Sequence, residues 1–189
     1  MTGIFSAFGL SASAGLNAYI PLLVIALVGR FWPKVLNLAE PWDTLSNWWI
    51  IGLLVVLSLI EFFADKVPAI NHINDIIQTF VRPTAGAIAF AAAANVVTEI
   101  HPVLSLAAGL LIAGGVHAAK SGVVRPAVTA TTGGAGNVPV SVLEDIISTT
   151  LSILAIVIPI LIGALVIILT SLFVFWLWRR SNRERQQEP

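Results

Sequence analysis

Cysteine is absent from this 189-residue chain, and charge is scarce: only 11% of the residues are Asp, Glu, Lys or Arg. The missing cysteine excludes disulfides, thiolate metal sites and cysteine nucleophiles. The missing charge excludes an ordinary water-facing surface, since soluble domains carry about 25% charged residues. Formal net charge is zero, so no overall field attracts nucleic acid. No nucleophile elbow, P-loop, dinucleotide fingerprint or zinc-protease motif occurs, which argues against an enzyme. Met1 to Gly15 holds no Lys or Arg, so the charged start of a cleavable signal peptide is lacking. Insertion through the chain's own helices is expected.

What is present is apolar: 57% of the residues are hydrophobic. Lipid is therefore the expected solvent, and the expected fold is an all-α bundle of about six transmembrane helices. A span needs roughly 20 mainly apolar residues. The first candidate runs from Phe5 to Gly29, with a small and polar front half (Ser6, Ser11, Ser13, Gly15, Asn17). The second runs from Trp48 to Asp65, the third from Thr84 to Val97, and the fourth from Val103 to Lys120. The stretch from Val140 to Trp178 would be about 58 Å long as one helix. That is nearly twice the hydrocarbon thickness, and Pro159 near its middle predicts two helices joined by a tight turn.

Charge placement orients this arrangement. With six spans, Lys66, Arg82, Lys120, Arg125, Arg179, Arg180, Arg183 and Arg185 share one side, and only Arg30 and Lys34 lie on the other. The positive-inside rule then places both termini in the cytoplasm, with the chain in the inner membrane. Trp32, Trp42, Trp48 and Trp49 would mark the outer interface, and Trp176 and Trp178 the inner one. Residues 1–180 form one integral-membrane domain in this reading, and 181–189 a polar cytoplasmic tail.

Two segments read differently. Ala69 to Val81 places Ile70, Ile73, Ile77 and Phe80 on one helical face, which predicts an amphipathic interfacial helix ended by Arg82-Pro83. Ser121 to Pro139 contains TATTGGAGNVP, which predicts a broken or re-entrant segment lining a protein cavity. Residues 129–139 also align without gaps to SASAGLNAYIP at 11–21. Small, Gly-interrupted segments at matching places in two halves point to a binding site in transporters, whereas common membrane residues also match by chance.

The ionisable residues of the apolar regions converge at one depth. Glu61, Asp65 and Lys66 lie at the inner end of the second helix, and His117 and Lys120 at that of the fourth. Glu144 and Asp145 lie at the start of the fifth, with His72, Asp75 and Arg82 on or beside the interfacial segment and Arg125 beyond the fourth helix. Ionisable groups in a membrane are costly and mark a functional site by default. As an ion or solute pathway these groups join Asn17 and Asn137. As a metal site, Glu61, Asp65, His117 and Glu144 offer oxygen and imidazole ligands for a divalent cation, without a tight signature. As a phosphate site, Lys66, Arg82, Lys120 and Arg125 could hold a lipid headgroup. As purely structural groups, they pair and fix helix ends. Asn17, beside Pro21, either satisfies backbone freed at a helix break or acts as a ligand.

The motifs E-F-F-A-D-K-V-P at 61–68, N-H-x-x-D at 71–75, R-P-x-A-G-A at 82–87, H-A-A-K at 117–120 and E-D at 144–145 occur together with S-A-G-L-N-A-Y-I-P-L-L at 13–23. In this order they resemble the bacterial membrane family known as domain of unknown function 4126, from about Gly9 to Arg180. The resemblance implies a small polytopic membrane protein and brings no activity or catalytic residues. The chain departs from it after H-A-A-K, where a Ser-Pro-acid element is expected and Thr131-Thr132-Gly133-Gly134 stands.

The expected function is thus a transporter or channel-like protein for a small ion or polar solute, with a monovalent or divalent cation as cofactor. Membrane lipid is the expected partner, nucleic acid is not. A lipid-acting metal- or phosphate-binding enzyme and a structural assembly factor are the alternatives. The Ala-rich third helix could pack within the chain or form a homo-oligomer, for which Ala89 is the natural crosslinking position.

Overall fold

The computed structural model describes residues 2–66, 68–94 and 100–185, and every regular element among them is helical. The helices are α1 (Thr2–Leu16), α2 (Tyr19–Phe31), α3 (Trp48–Ala64), α4 (Pro68–Ala94), α5 (Pro102–Ala119), α6 (Arg125–Thr132), α7 (Asn137–Val157) and α8 (Pro159–Arg185). Three stretches are long and apolar enough to cross a membrane: Asn74–Ala94, Pro102–Thr132 and Asn137–Val157. Gly3–Leu16, Tyr19–Phe31 and Trp48–Ala64 are apolar but shorter. Large apolar side chains face outward along α3 and α8, including Trp49, Leu59, Phe63, Leu165, Leu172 and Trp178. Polar and charged side chains fill much of the interior instead. That inversion fits a lipid surround.

The first expected span is two helices. The chain breaks at Asn17, whose Oδ1 accepts the Tyr19 and Ile20 N–H groups at 3.1 Å each and so caps α2. Pro21 falls in the first turn of α2, where its missing N–H costs nothing. The contacts fix the directions. Ser11 bonds to the Gly109 carbonyl and Gly15 abuts Ala113 and Val116, so α1 runs parallel to α5. Phe8 packs on Phe90 and Ser11 lies against Gly86, so α1 runs antiparallel to α4. Ser13 meets Ser148 and Asn17 meets Asp145, so it is also antiparallel to α7. Leu22 then shares a groove with Ala85 and Ile88 of α4. The chain therefore reverses at Asn17–Ala18, and α1 and α2 form a hairpin with its tip inside the bundle.

The expected interfacial helix is not separate. Its residues continue through Pro83 into the Ala-rich segment as one 27-residue helix, α4. Its amphipathicity points the other way from the expectation. Asn74, Gln78 and Arg82, at spacings of four, are buried, whereas Ile76, Ile77 and Phe80 are exposed. The polar stripe faces protein and the apolar stripe faces outward. The third expected span thus ends at Ala94 among the described residues, and the remainder to Val97 lies outside them. Ala89 is fully buried within the chain, where the Ala-rich face packs on α1 and α5. Backbones meet closely there: a Cβ on Gly15 would lie 2.6 Å from the Ala113 carbonyl oxygen, and one on Gly109 would overlap the Gly86 carbonyl.

The expected re-entrant segment is mostly helix. A π-turn at Lys120–Val124 joins α5 to α6, and the irregular part shrinks to residues 133–136. Gly133 and Gly134 have φ of 62° and 91°, a left-handed geometry that glycine adopts without strain and that ends α6. The break at Pro159 is present: Ile158 leaves helical geometry and α8 begins at Pro159. The backbone of α8 remains helical to Arg185, so part of the expected tail extends the helix.

Candidate functional site

The hairpin tip lies in a buried ionic cluster built by five other helices. Arg82 is fully buried at its centre. Its Nε and one terminal nitrogen donate to Glu61 Oε1 at 3.2 and 2.9 Å, and that nitrogen also reaches Asp65 at 3.3 Å. Arg125 donates to both Asp75 oxygens at 3.1 and 3.0 Å, to Asp65 at 3.2 Å and to Glu144 at 3.4 Å. Lys120 pairs with Glu144 at 2.7 Å, with Asp65 at 3.8 Å. Lys66 pairs with Asp145 at 2.9 Å.

The helix geometry explains how these groups converge. Glu61 and Asp65 are four apart on α3 and share a face. Lys120 and Arg125 are five apart, which on an α-helix would separate them by about 140°. The π-turn bonds the Arg125 N–H to the Lys120 carbonyl and stacks the two residues, so both reach Glu144. Glu144 and Asp145 are neighbours on α7 and divide the work. Glu144 faces α5 and α6, while Asp145 faces the hairpin tip and Lys66.

The backbone ends at the tip are held by charge. Glu61 accepts the Ala18 N–H with both oxygens, at 3.3 and 3.1 Å. Lys120 donates to the Leu16 carbonyl at 3.0 Å. A carboxylate thus sits at the positive start of α2, and an ammonium at the negative end of α1, as helix dipoles favour. Asn17 adds a third tie by donating to Asp145 Oδ1 at 3.0 Å.

His117 is held neutral by its partners. The Thr79 hydroxyl donates to the Asp75 carbonyl, so it accepts from His117 Nε2–H at 3.2 Å. The Arg82 guanidinium can only donate, so His117 Nδ1 accepts from it at 3.3 Å. The ion pairs among the described residues therefore join five carboxylates (Glu61, Asp65, Asp75, Glu144, Asp145) to four cations (Lys66, Arg82, Lys120, Arg125). With every group ionised, one negative charge is in excess.

Of the residues expected at the site, Asn17, Glu61, Asp65, Lys66, Asp75, Arg82, His117, Lys120, Glu144 and Asp145 come together. Asn137 does not: it exchanges hydrogen bonds with Thr129 beside the 133–136 turn. The His72 side chain lies outside the described residues. The set Glu61, Asp65, His117 and Glu144 is not a metal centre in form. Among the described residues no group of three His, Asp or Glu side chains is arranged to hold a metal ion, because the carboxylates turn to arginine and lysine.

Sequence reasoning missed Asn74, which donates to Asp65 at 2.7 Å, and Thr79. The signal was the four-residue spacing of Asn74, Gln78 and Arg82. It also missed the seam in which the Ser13 hydroxyl meets those of Ser148 and Ser152 at 2.8 and 2.7 Å. Buried side-chain oxygens of Ser58, Gln78 and Ser141 have no hydrogen-bond partner among the described residues. Each lies one turn from a cluster residue on its own helix.

A family model, that of the domain of unknown function DUF4126, matches residues 4–180 of the chain. No curated protein and no solved structure matches it.

Proposed function

Because the chain belongs to the DUF4126 family, whose description carries no activity, we propose its function from the site itself: a membrane-embedded carrier or channel-like protein for a small ion or polar solute. One observation carries the reading. Two short helices meet inside an apolar bundle, and their facing ends are held by ionisable side chains, Glu61 on Ala18 N–H and Lys120 on the Leu16 carbonyl. Discontinuous helices of this kind place backbone dipoles where transporters bind ions and polar substrates. The excess carboxylate gives the cluster capacity for one proton or one monovalent cation. Neutralising Glu61 would weaken the hold on the tip and couple ion uptake to hairpin movement.

For topology, the reading puts the cluster in the inner, cytoplasmic half of the inner membrane, where the Lys and Arg residues collect. Among the described residues the helices form seven rods (α5 and α6 counting as one), and the reading takes these in place of six spans. The start of α1 then lies outside and α8 ends inside. The positive-inside count is unchanged by this revision, because no Lys or Arg precedes Arg30.

The test is flux in proteoliposomes over a panel of protons, alkali cations and small polar solutes, comparing wild type with Glu61→Gln. Gradient-driven flux lost in a folded Glu61→Gln variant supports the reading. Absence of wild-type flux across the panel removes it. A second reading, a structural tie, is favoured by the complete pairing of the four cations. It predicts that Glu61→Gln changes stability and nothing else.

A further inference from the structure

Independently of the transport reading, we propose that a groove between α2, α3 and α7 binds an aminophospholipid, with Asp145 taking the headgroup ammonium and Lys66 its phosphate. The groove has a volume of about 360 Å³ and is walled by Ile20, Phe62, Val142, Ile146 and Thr149, with Asp145 as its one ionisable lining residue. Phe62 and Ile146 are exposed on the lipid-facing surface, so the groove opens to the bilayer.

The polar end of the groove already holds an ammonium. Lys66 Nζ lies 2.9 Å from Asp145 Oδ2, 2.9 Å from the Phe62 carbonyl oxygen and 3.2 Å from the centre of the Phe62 ring. A carboxylate, a carbonyl and an aromatic face together make a recognition site for a primary ammonium. Lys66 is a tethered occupant that can leave: its side chain is 16% exposed and that of Asp145 11%, whereas Arg82 and Glu61 are fully enclosed. Exchange conserves charge. The lipid ammonium replaces Lys66 on Asp145, and the freed Lys66 ammonium meets the phosphate of the same headgroup, so one ion pair becomes two. An acyl chain then lies along Ile20, Val142 and Ile146. A trimethylated headgroup has no N–H for Asp145, and an anionic headgroup has no ammonium. Other charges near Asp145 are Glu144 on α7 and, across the hairpin tip, Glu61 and Lys120; all three are engaged within the cluster.

The experiment measures lipid retained by purified protein from mixed micelles or nanodiscs, using phosphatidylethanolamine, phosphatidylcholine and phosphatidylglycerol with matched acyl chains. Native mass spectrometry is the readout. Phosphatidylethanolamine is expected to be retained about tenfold or more over phosphatidylcholine, the ratio of about one charge-assisted hydrogen bond. Asp145→Asn should abolish that preference. Should Asp145→Asn fail to fold, Val142→Trp fills the groove from its lipid side and should lower retention of the lipid while leaving the Lys66–Asp145 pair. Equal retention of all three lipids overturns the proposal. So does a preference for phosphatidylglycerol that depends on Lys66 and not on Asp145, or unchanged phosphatidylethanolamine retention in a folded Val142→Trp variant.

Discussion

Replacing Arg82 by Met removes the one cation among the described residues that pairs with Glu61, and leaves a fully buried carboxylate whose remaining hydrogen-bond partner among them is the Ala18 N–H. Asp65 is less affected, since Arg125 and Lys120 remain beside it. Removing one partner of a buried pair costs about 3–5 kcal/mol, most of it the stranded charge. For a chain of this size that corresponds to a fall of roughly 6–20 °C in unfolding temperature. The double variant Arg82→Met, Glu61→Gln isolates the cause. Gln keeps an oxygen for the Ala18 N–H but carries no charge, so more than half of the lost stability should return. Thermal unfolding of the four proteins in one detergent measures the cycle. An Arg82→Met variant that melts within 2 °C of wild type would refute the reasoning. A double variant that merely sums the two single losses would do the same, because the penalty would then not be electrostatic.

Three further outcomes follow from the same geometry. Deleting Gly122 converts the π-turn to one α-helical turn in which Lys120 and Arg125 stand four apart, within about 40° of one another; thermal unfolding should show a much smaller loss than Arg125→Met, and an equal loss would contradict the stacking argument. Gly122 suits this test because open space surrounds it. Asn17→Ala removes the cap of α2 at a cost of about 1–2 kcal/mol, measured by thermal unfolding, whereas Asn17→Asp should keep the cap but repel Asp145. Gly109→Val should disrupt folding outright, since its Cβ would overlap the Gly86 carbonyl between two packed backbones; a folded, monodisperse variant would show that α4 and α5 are farther apart.

The helices and the meeting place of the charges were legible in the residues. Ten of the twelve residues expected on the pathway converge because helix ends of similar register bring them to one depth. The break at Pro159 was also readable, since its stretch exceeds a bilayer. The hairpin was not. Asn17 beside Pro21 offered a helix break as one of two roles, but nothing in its neighbourhood shows that the chain reverses direction there. Its partners, Asp145 and the Ala18–Glu61 contact, are remote in sequence. The direction of the α4 stripe also escaped, because an amphipathic pattern states that two faces differ but not which of them meets protein. Here the polar face is the one turned inward, as a lipid surround favours. The π-turn has no sequence mark either; it is imposed by the pairing of Lys120 and Arg125 with the same carboxylates.

The absence of native cysteine allows the central claim to be tested at one atom. Ala18 sits at the hairpin tip and is fully buried. In an Ala18→Cys variant reconstituted into vesicles, a membrane-impermeant maleimide reports whether the tip ever reaches water. If the cluster releases the hairpin when it takes up its ion, labelling should be slow without a gradient and rise severalfold when a proton or cation gradient is imposed. A tip that stays unlabelled under every gradient, or that labels at one rate whatever the gradient, would contradict the account.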